Sequence, residues 1–348
     1  MTIHFDPALI EQFLSERQGD DAFSGVILVR ENGIPVLERA GGFAQRADRL
    51  PNTLHTRLGT ASGTKTFTAA AICQLVERGL VNFETPLKDC VGVSLPSFDP
   101  DITLHHLLSH TSGVPDYFDE ETMADEDYER LWLQRPMYTM RQPRDFVPLF
   151  ASGAAKFSPG ARFAYSNAGY IVLALVVEHL AGMPFIDYVQ QNIFARAGMT
   201  DSGFFAFDRL PEGTAAGYLH DDDGTWRTNI YSIPVIGGGD GGAFVTAPDM
   251  ANFWKALFNH TLLGPDHTAA MLTPHITTQR EGRCYGYGLW IDQVEGQITR
   301  YTALGGDPGV MFASVVLPQR GLECTIMGNV EGPAWVLYGV LNQALAGK

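Results

Sequence analysis

Residues 286–328 read GYGLWIDQVEGQITRYTALGGDPGVMFASVVLPQRGLECTIMG, and this stretch decides the fold. Four apolar runs, Gly286–Val294, Gln297–Ala303, Gly309–Leu317 and Glu323–Gly328, follow one another across short breaks. Such spacing suits an antiparallel meander, because parallel strands need long crossover connections. The glycines of Ala303-Leu304-Gly305-Gly306-Asp307-Pro308-Gly309 fit a turn at the end of a strand. Working outward, the chain closes with a helix at Pro333–Leu345, and Ala243–Thr246 reads as a strand leading into a helix at Pro248–Phe258.

The other end of the chain offers partners for that meander. Phe23–Arg30 carries Val26, Leu28 and Val29, and Pro35–Phe43 returns after Glu31-Asn32-Gly33. Asn-Gly between apolar runs is a strong hairpin signal. Before it, Asp6-Pro7 opens a helix through Ala8, Ile10, Phe13 and Leu14. After it, a helix is predicted from Ser62 to about Arg78, with Phe67, Ala71, Ile72, Leu75 and Val76 on one side and Gly79 to end it. From about Val91 to Tyr218 the pattern is helical and loop-rich. Thr103 caps a helix through Leu104, Leu107 and Leu108, and Tyr170–Leu180 is an apolar helix stopped by Gly182. Asp116–Asp145 is acidic and aromatic with little periodicity, and is expected to cover something. The expected class is α+β: an antiparallel sheet built by both ends of the chain, flanked by helices, with an inserted, mostly helical domain. The expected boundaries are 1–90 and 219–348 for the sheet domain and 91–218 for the insertion.

Composition narrows the function. The 348 residues are 45% hydrophobic and 18% charged, enough to bury a sizeable core. A net charge of -15 repels polyphosphate backbones and argues against nucleic acid as a partner. The longest apolar run, Tyr170–Val177, has eight residues, whereas a membrane helix needs about 20. Met1-Thr2-Ile3-His4-Phe5-Asp6 shows neither the basic nor the apolar region of a secretory signal. Cys73, Cys90, Cys284 and Cys324 are far apart and form no C-x-x-C, which fits buried free thiols in a reducing cytoplasm.

Three short stretches could carry chemistry. In Ser62-Gly63-Thr64-Lys65 the serine and the lysine three residues on share a helix face, so the amine can reach the hydroxyl. Serine needs a base to attack, and lysine serves only when its pKa is lowered. A capping serine with a solvated lysine is the plain reading of the same spacing. Tyr165-Ser166-Asn167 supplies a phenol that can exchange protons with a lysine and an amide that can bind both lysine and substrate; alone, it is a turn before a helix. At Gly305-Gly306 a backbone N–H could complete an oxyanion hole opposite that of Ser62. His106 and His110 stand i,i+4 beside His105, but H-E-x-x-H is absent, so no metal is expected. The glycine run 237–242 contains Asp240 and lacks Gly-Lys-Ser/Thr, and reads as a turn.

Taken in order, these stretches resemble the serine β-lactamase-like superfamily. The likeness is closest to the group of class C β-lactamases, D-alanyl-D-alanine carboxypeptidases, D-aminopeptidases and β-lactamase-fold esterases. Ala61-Ser62-Gly63-Thr64-Lys65 looks like the nucleophile motif, and Leu107–Val114 like its His-Thr-Ser-Gly segment. Phe157–Tyr170 resembles the Pro-Gly and Tyr-x-Asn block, and Gly198-Met199-Thr200-Asp201 the Gly-Met-x-Asp that follows. The likeness runs from about residue 6 to 345. It implies Ser62 as acylated nucleophile, Lys65 and Tyr165 as the acid/base pair, and Asn167 as a ligand of lysine and substrate. It further implies an oxyanion hole from the N–H groups of Ser62 and Gly306, Gly305 beside it, and Tyr117 bordering the substrate pocket. No cofactor is implied.

The chain departs from the family pattern at one position. Where the third motif usually opens with lysine or histidine, this chain has Ala303, and Asp307 adds negative charge nearby. Both changes disfavour β-lactams and peptides ending in a carboxylate. The expected activity is hydrolysis of a small ester, amide or short peptide through an acyl-enzyme on Ser62. β-Lactamase, D-alanyl-D-alanine carboxypeptidase or D-aminopeptidase chemistry is the alternative. A weakly active binding or scaffold protein on the same fold is the alternative from another class, and Ala303 is the feature that favours it.

Overall fold

Both ends of the chain meet in one eight-stranded antiparallel sheet. Its order runs Ile34–Gly41, Gly25–Glu31, Leu322–Gly328, Val310–Leu317, Gln297–Asp307, Trp290–Val294, Arg283–Tyr285, Ile276–Thr277. The meander is therefore joined to the N-terminal hairpin along Gly25–Glu31, with Gly25 opposite Gly328 and Glu31 opposite Leu322. The computed structural model describes residues 5–221 and 224–346. Residues 1–4, read above as free of a signal pattern, lie outside them.

Alternation along the strands divides the core. Met311, Ala313 and Val315 face the terminal helices Ala8–Glu16 and Glu331–Ala346, meeting Ile10, Phe13, Leu337 and Leu341. Phe312 points the other way, into the cluster of Phe67, Ile72, Phe253 and Trp254. Between them Ser314 is buried, and its Oγ accepts from the indole N–H of Trp254 at 2.8 Å.

Beyond that second face lie the helices of the middle of the chain, Leu104–Leu108, Asp125–Gln134, Pro143–Phe150 and Asn167–Ala181 among them. Their caps follow from sequence. Thr103 Oγ1 accepts from His106 N at 3.3 Å, and Ser166 Oγ from Gly169 N at 3.0 Å. Gly182 ends Asn167–Ala181 in the left-handed conformation, φ 66°. Among the described residues no single helix is long and apolar enough to cross a membrane.

Three expectations need correction. The predicted helix from Ser62 is a 3-10 turn, Ala61–Thr64, followed by the α-helix Lys65–Glu77. That helix is buried all round from Lys65 to Leu75 rather than on one side, because it lies between the sheet and Asn167–Ala181. The run Gly286–Val294 is not one strand: Arg283–Tyr285 and Trp290–Val294 are separated by a turn. Gly288 explains the break, since at φ 75° its backbone lies so close to Lys65 that an added Cβ would meet the Lys65 carbonyl oxygen at 2.5 Å. Finally, Gln297–Asp307 continues as strand through Gly305 and Gly306, and the turn is only Pro308-Gly309. Both glycines thus stand on a rigid edge beside the Ser62 turn.

Candidate active site

The serine sits on a loop held from both sides. Ala61 adopts φ 44°, a left-handed conformation that costs an alanine on the order of 1–2 kcal/mol. The surroundings hold it there. Thr60 N donates to Ala243 O at 2.8 Å, and Ala243 N donates to Thr64 Oγ1 at 3.0 Å. The Thr60 and Thr64 hydroxyls are 2.8 Å apart. The half-buried Ser62 side chain lines a cavity of about 650 Å³.

Lys65 is completely buried, and its ammonium group has three partners. Nζ lies 2.8 Å from Ser62 Oγ, 2.7 Å from Asn167 Oδ1 and 2.7 Å from the Asp240 carbonyl oxygen. Two of these are obligate acceptors, while the serine hydroxyl can accept or donate. A neutral amine therefore keeps all three contacts, with its lone pair turned to the serine proton. Burial lowers the lysine pKa, opposed by Asp240, Glu120, Asp116 and Asp307. The shift is toward the neutral form, the one that can accept a proton.

Tyr165 completes the group. It lines the cavity with Ser62, and its ring lies 4.9 Å from Lys65 Nζ, measured to the ring centroid. Burial raises the phenol well above its usual pKa, so Tyr165 stays protonated at neutral pH. The ring stacks on Trp290 at 5.9 Å and 6°, and packs against the His110 ring at 4.3 Å, tilted by 36°. His110 itself takes φ 58°, and its Nδ1 accepts from Ser166 N at 3.1 Å. The histidine of the 105–110 stretch thus braces the Tyr165 segment. Asp116 braces it from the other side, accepting from the backbone N–H groups of Asn167 at 2.6 Å and Ala168 at 3.0 Å. Burial pushes the Asp116 carboxyl up to about 6, against the pull of those N–H groups.

The remaining residues singled out by sequence come to the same place. Gly305 packs so closely on the serine loop that an added Cβ would stand 2.2 Å from Thr60 O and 2.7 Å from Ser62 N. Gly305→Ala should therefore displace the loop, with a loss of several degrees in Tm and of most Ser62 labelling by a fluorophosphonate; overpacking costs about 1–3 kcal/mol. Normal labelling and an unchanged melting curve would contradict this reading. Gly306 is exposed beside it and lines the cavity, as do Asn167 and Tyr117. Tyr117 is buried, and its hydroxyl donates to an Asp240 carboxylate oxygen.

Asp240 was missed. The run 237–242 is a loop as expected, but its glycines line the cavity and its aspartate holds Lys65 through the backbone and Tyr117 through the side chain. An acidic residue within five glycines was the available signal. The acidic and aromatic segment also finds its place: Tyr117, Phe118, Glu120, Met123 and Tyr128 wall the cavity. Ala303 differs from expectation. It is 1% exposed and joins the core, and Leu304 lines the cavity instead.

The chain belongs to the Beta-lactamase family, whose model matches residues 10–340. Individual relatives sharpen this. The crystal structure of a penicillin binding protein from Bacillus halodurans superposes with a TM-score of 0.90 at 48% identity, covering 96% of this chain and 99% of that one. Penicillin-binding protein 4* of Bacillus subtilis (strain 168) is 29% identical over 86% of this chain, and Esterase EstB of Burkholderia gladioli is 32% identical over 62% of it. The chain spans 66% of the length of the former and 54% of the latter.

Proposed function

We propose that the protein is a serine hydrolase that cleaves a small ester or amide through an acyl-enzyme on Ser62. The 2.8 Å contact between Ser62 Oγ and the fully buried Lys65 Nζ carries this reading. Lys65, as the free amine, takes the serine proton while Ser62 Oγ bonds the carbonyl carbon. The N–H groups of Ser62 and Gly306 receive the oxyanion. Tyr165 gives its proton to the leaving group, and the proton on Lys65 restores the phenol. Water then releases the acyl group by the same relay in reverse. Asn167 holds Lys65 and reaches the substrate from its place on the cavity wall. Residues 91–218 act as the insertion that covers the sheet domain, and four buried free thiols suit the cytoplasm.

Uncharged acyl groups are favoured, because the described residues that line the cavity include no lysine or arginine. Leu304→Lys, at the strand position that lines it, should raise kcat/KM for a carboxylate-bearing ester over its neutral isostere by roughly tenfold. An unaltered ratio in a folded variant would remove the missing cation from the account of selectivity. The function as a whole is tested by a panel of p-nitrophenyl esters, amides and nitrocefin, with intact mass of the enzyme during turnover. Turnover of esters or amides with a Ser62 adduct supports it; efficient nitrocefin hydrolysis would reverse the ranking of substrates.

A further inference from the structure

In the proposed mechanism Tyr165 gives its proton to the leaving group, so the direction of its hydroxyl matters. Three rings pack against its own. Centroid to centroid, His110 lies 4.3 Å away, Trp290 5.9 Å and Tyr285 6.4 Å. His110 and Tyr285 are buried, at 1% and 2% exposure. Trp290 is half-buried and lines the cavity beside Tyr165 and Ser62. It is also the ring that lies parallel to the phenol, at 6° between planes against 36° for His110 and 86° for Tyr285. A tyrosine side chain turns about two torsions. Of the rings that touch Tyr165, Trp290 is the one that limits this turn on the cavity side.

Trp290 is itself held. In the hairpin of Arg283–Tyr285 and Trp290–Val294, Trp290 stands opposite Tyr285, and Asp292 opposite Arg283. Residues two apart on a strand share a face, so these four side chains lie together. The Arg283 guanidinium sits over the indole, 4.6 Å from its centroid, and Arg283 Nε is 3.6 Å from Asp292 Oδ1. Tyr285 meets the indole edge to face, at 4.9 Å and 88°. The cation and the edge-on ring together fix the indole plane.

We infer that Trp290 is a positioning residue for proton delivery: its stacked face directs the Tyr165 hydroxyl, and Arg283 and Tyr285 hold that face in place. The inference rests on the hydrolase reading above. Its signature is dependence on the leaving group. A good leaving group departs as an anion, whereas a poor one needs a proton as its bond breaks. Were Trp290 only a wall against the acyl group, all esters of one acid would change alike.

The test is kcat/KM of the full chain for p-nitrophenyl, p-chlorophenyl and p-methylphenyl butyrate, in wild type, Trp290→Leu, Trp290→Phe and Tyr165→Phe. The acyl group and the size are shared, while the leaving phenol becomes less acidic along the series. Trp290→Leu keeps apolar bulk without a flat face, and should widen the p-nitrophenyl to p-methylphenyl ratio about tenfold, a part of what a general acid supplies. Tyr165→Phe should widen it at least as much. Trp290→Phe, which keeps a ring to stack, should leave it nearly unchanged. Adding Trp290→Leu to Tyr165→Phe should widen it no further, since the tryptophan acts through the tyrosine. Melting curves identify the folded variants, and Trp290→Met replaces the leucine variant if that one does not fold. A uniform loss across the three esters in a folded variant overturns the inference. So does a phenylalanine variant no better than leucine, or further widening in the double variant. Turnover through a Ser62 adduct with a uniform loss defeats only the inference. A widened ratio with no Ser62 adduct defeats only the acyl-enzyme reading.

Discussion

Ser62→Ala abolishes ester hydrolysis and covalent labelling together, while the melting curve stays within a degree or two of the wild type. The hydroxyl is the only protein atom that bonds the substrate in the proposed mechanism, so its loss should cost about 10⁴–10⁶-fold in kcat. Structure should survive. The loop that carries Ser62 is held by Thr60, Thr64 and Ala243, and the serine side chain contributes to none of those contacts. Lys65 keeps Asn167 and Asp240 in the variant. Persistent labelling at another serine would remove Ser62 from its role.

Lys65→Ala and Tyr165→Phe each cut turnover by about 10²–10⁴-fold, the range for a lost proton-transfer group. Their losses should be far from additive, because both groups act on one proton at Ser62. A double variant whose deficit equals the product of the single deficits would mean independent roles. The pH profile has a required sign. Lys65 must be unprotonated to act, and burial moves its pKa down from 10.5. The rate therefore falls as pH drops through that lowered value. Tyr165 must stay protonated, which its upward shift secures across the neutral range. Lys65→Arg should be as inactive as Lys65→Ala, since guanidinium does not deprotonate in a protein.

Local signals made much of this architecture readable. The Asn32-Gly33 turn joins Gly25–Glu31 to Ile34–Gly41, and Thr103, Ser166 and Gly182 cap their helices where the sequence places caps. Order of motifs did the rest: no periodicity puts Tyr165 next to Ser62, some hundred residues away. Three features resisted because their causes are tertiary. Gly288 breaks a strand to clear the Lys65 backbone, which cannot be seen without knowing what it packs on. Gly305 and Gly306 have a turn-like composition, yet they form strand because Val310–Leu317 pairs with them. Asp240 holds Lys65 through its carbonyl, a contact that the acidic residue among five glycines signalled only indirectly. Ala303 was read as the place where a cation is missing from the pocket, and its burial in the core, away from the cavity, could only be seen in three dimensions.

The central claim is that Ser62 forms a covalent acyl intermediate. Acid-quenched mixing of the wild-type protein with p-nitrophenyl butyrate, followed by intact mass and peptide mapping, tests it most directly. The account predicts one butyryl group per chain, on the peptide containing Ser62, with a matching burst of p-nitrophenol. Steady hydrolysis with no adduct, together with an active Ser62→Ala variant, would contradict it.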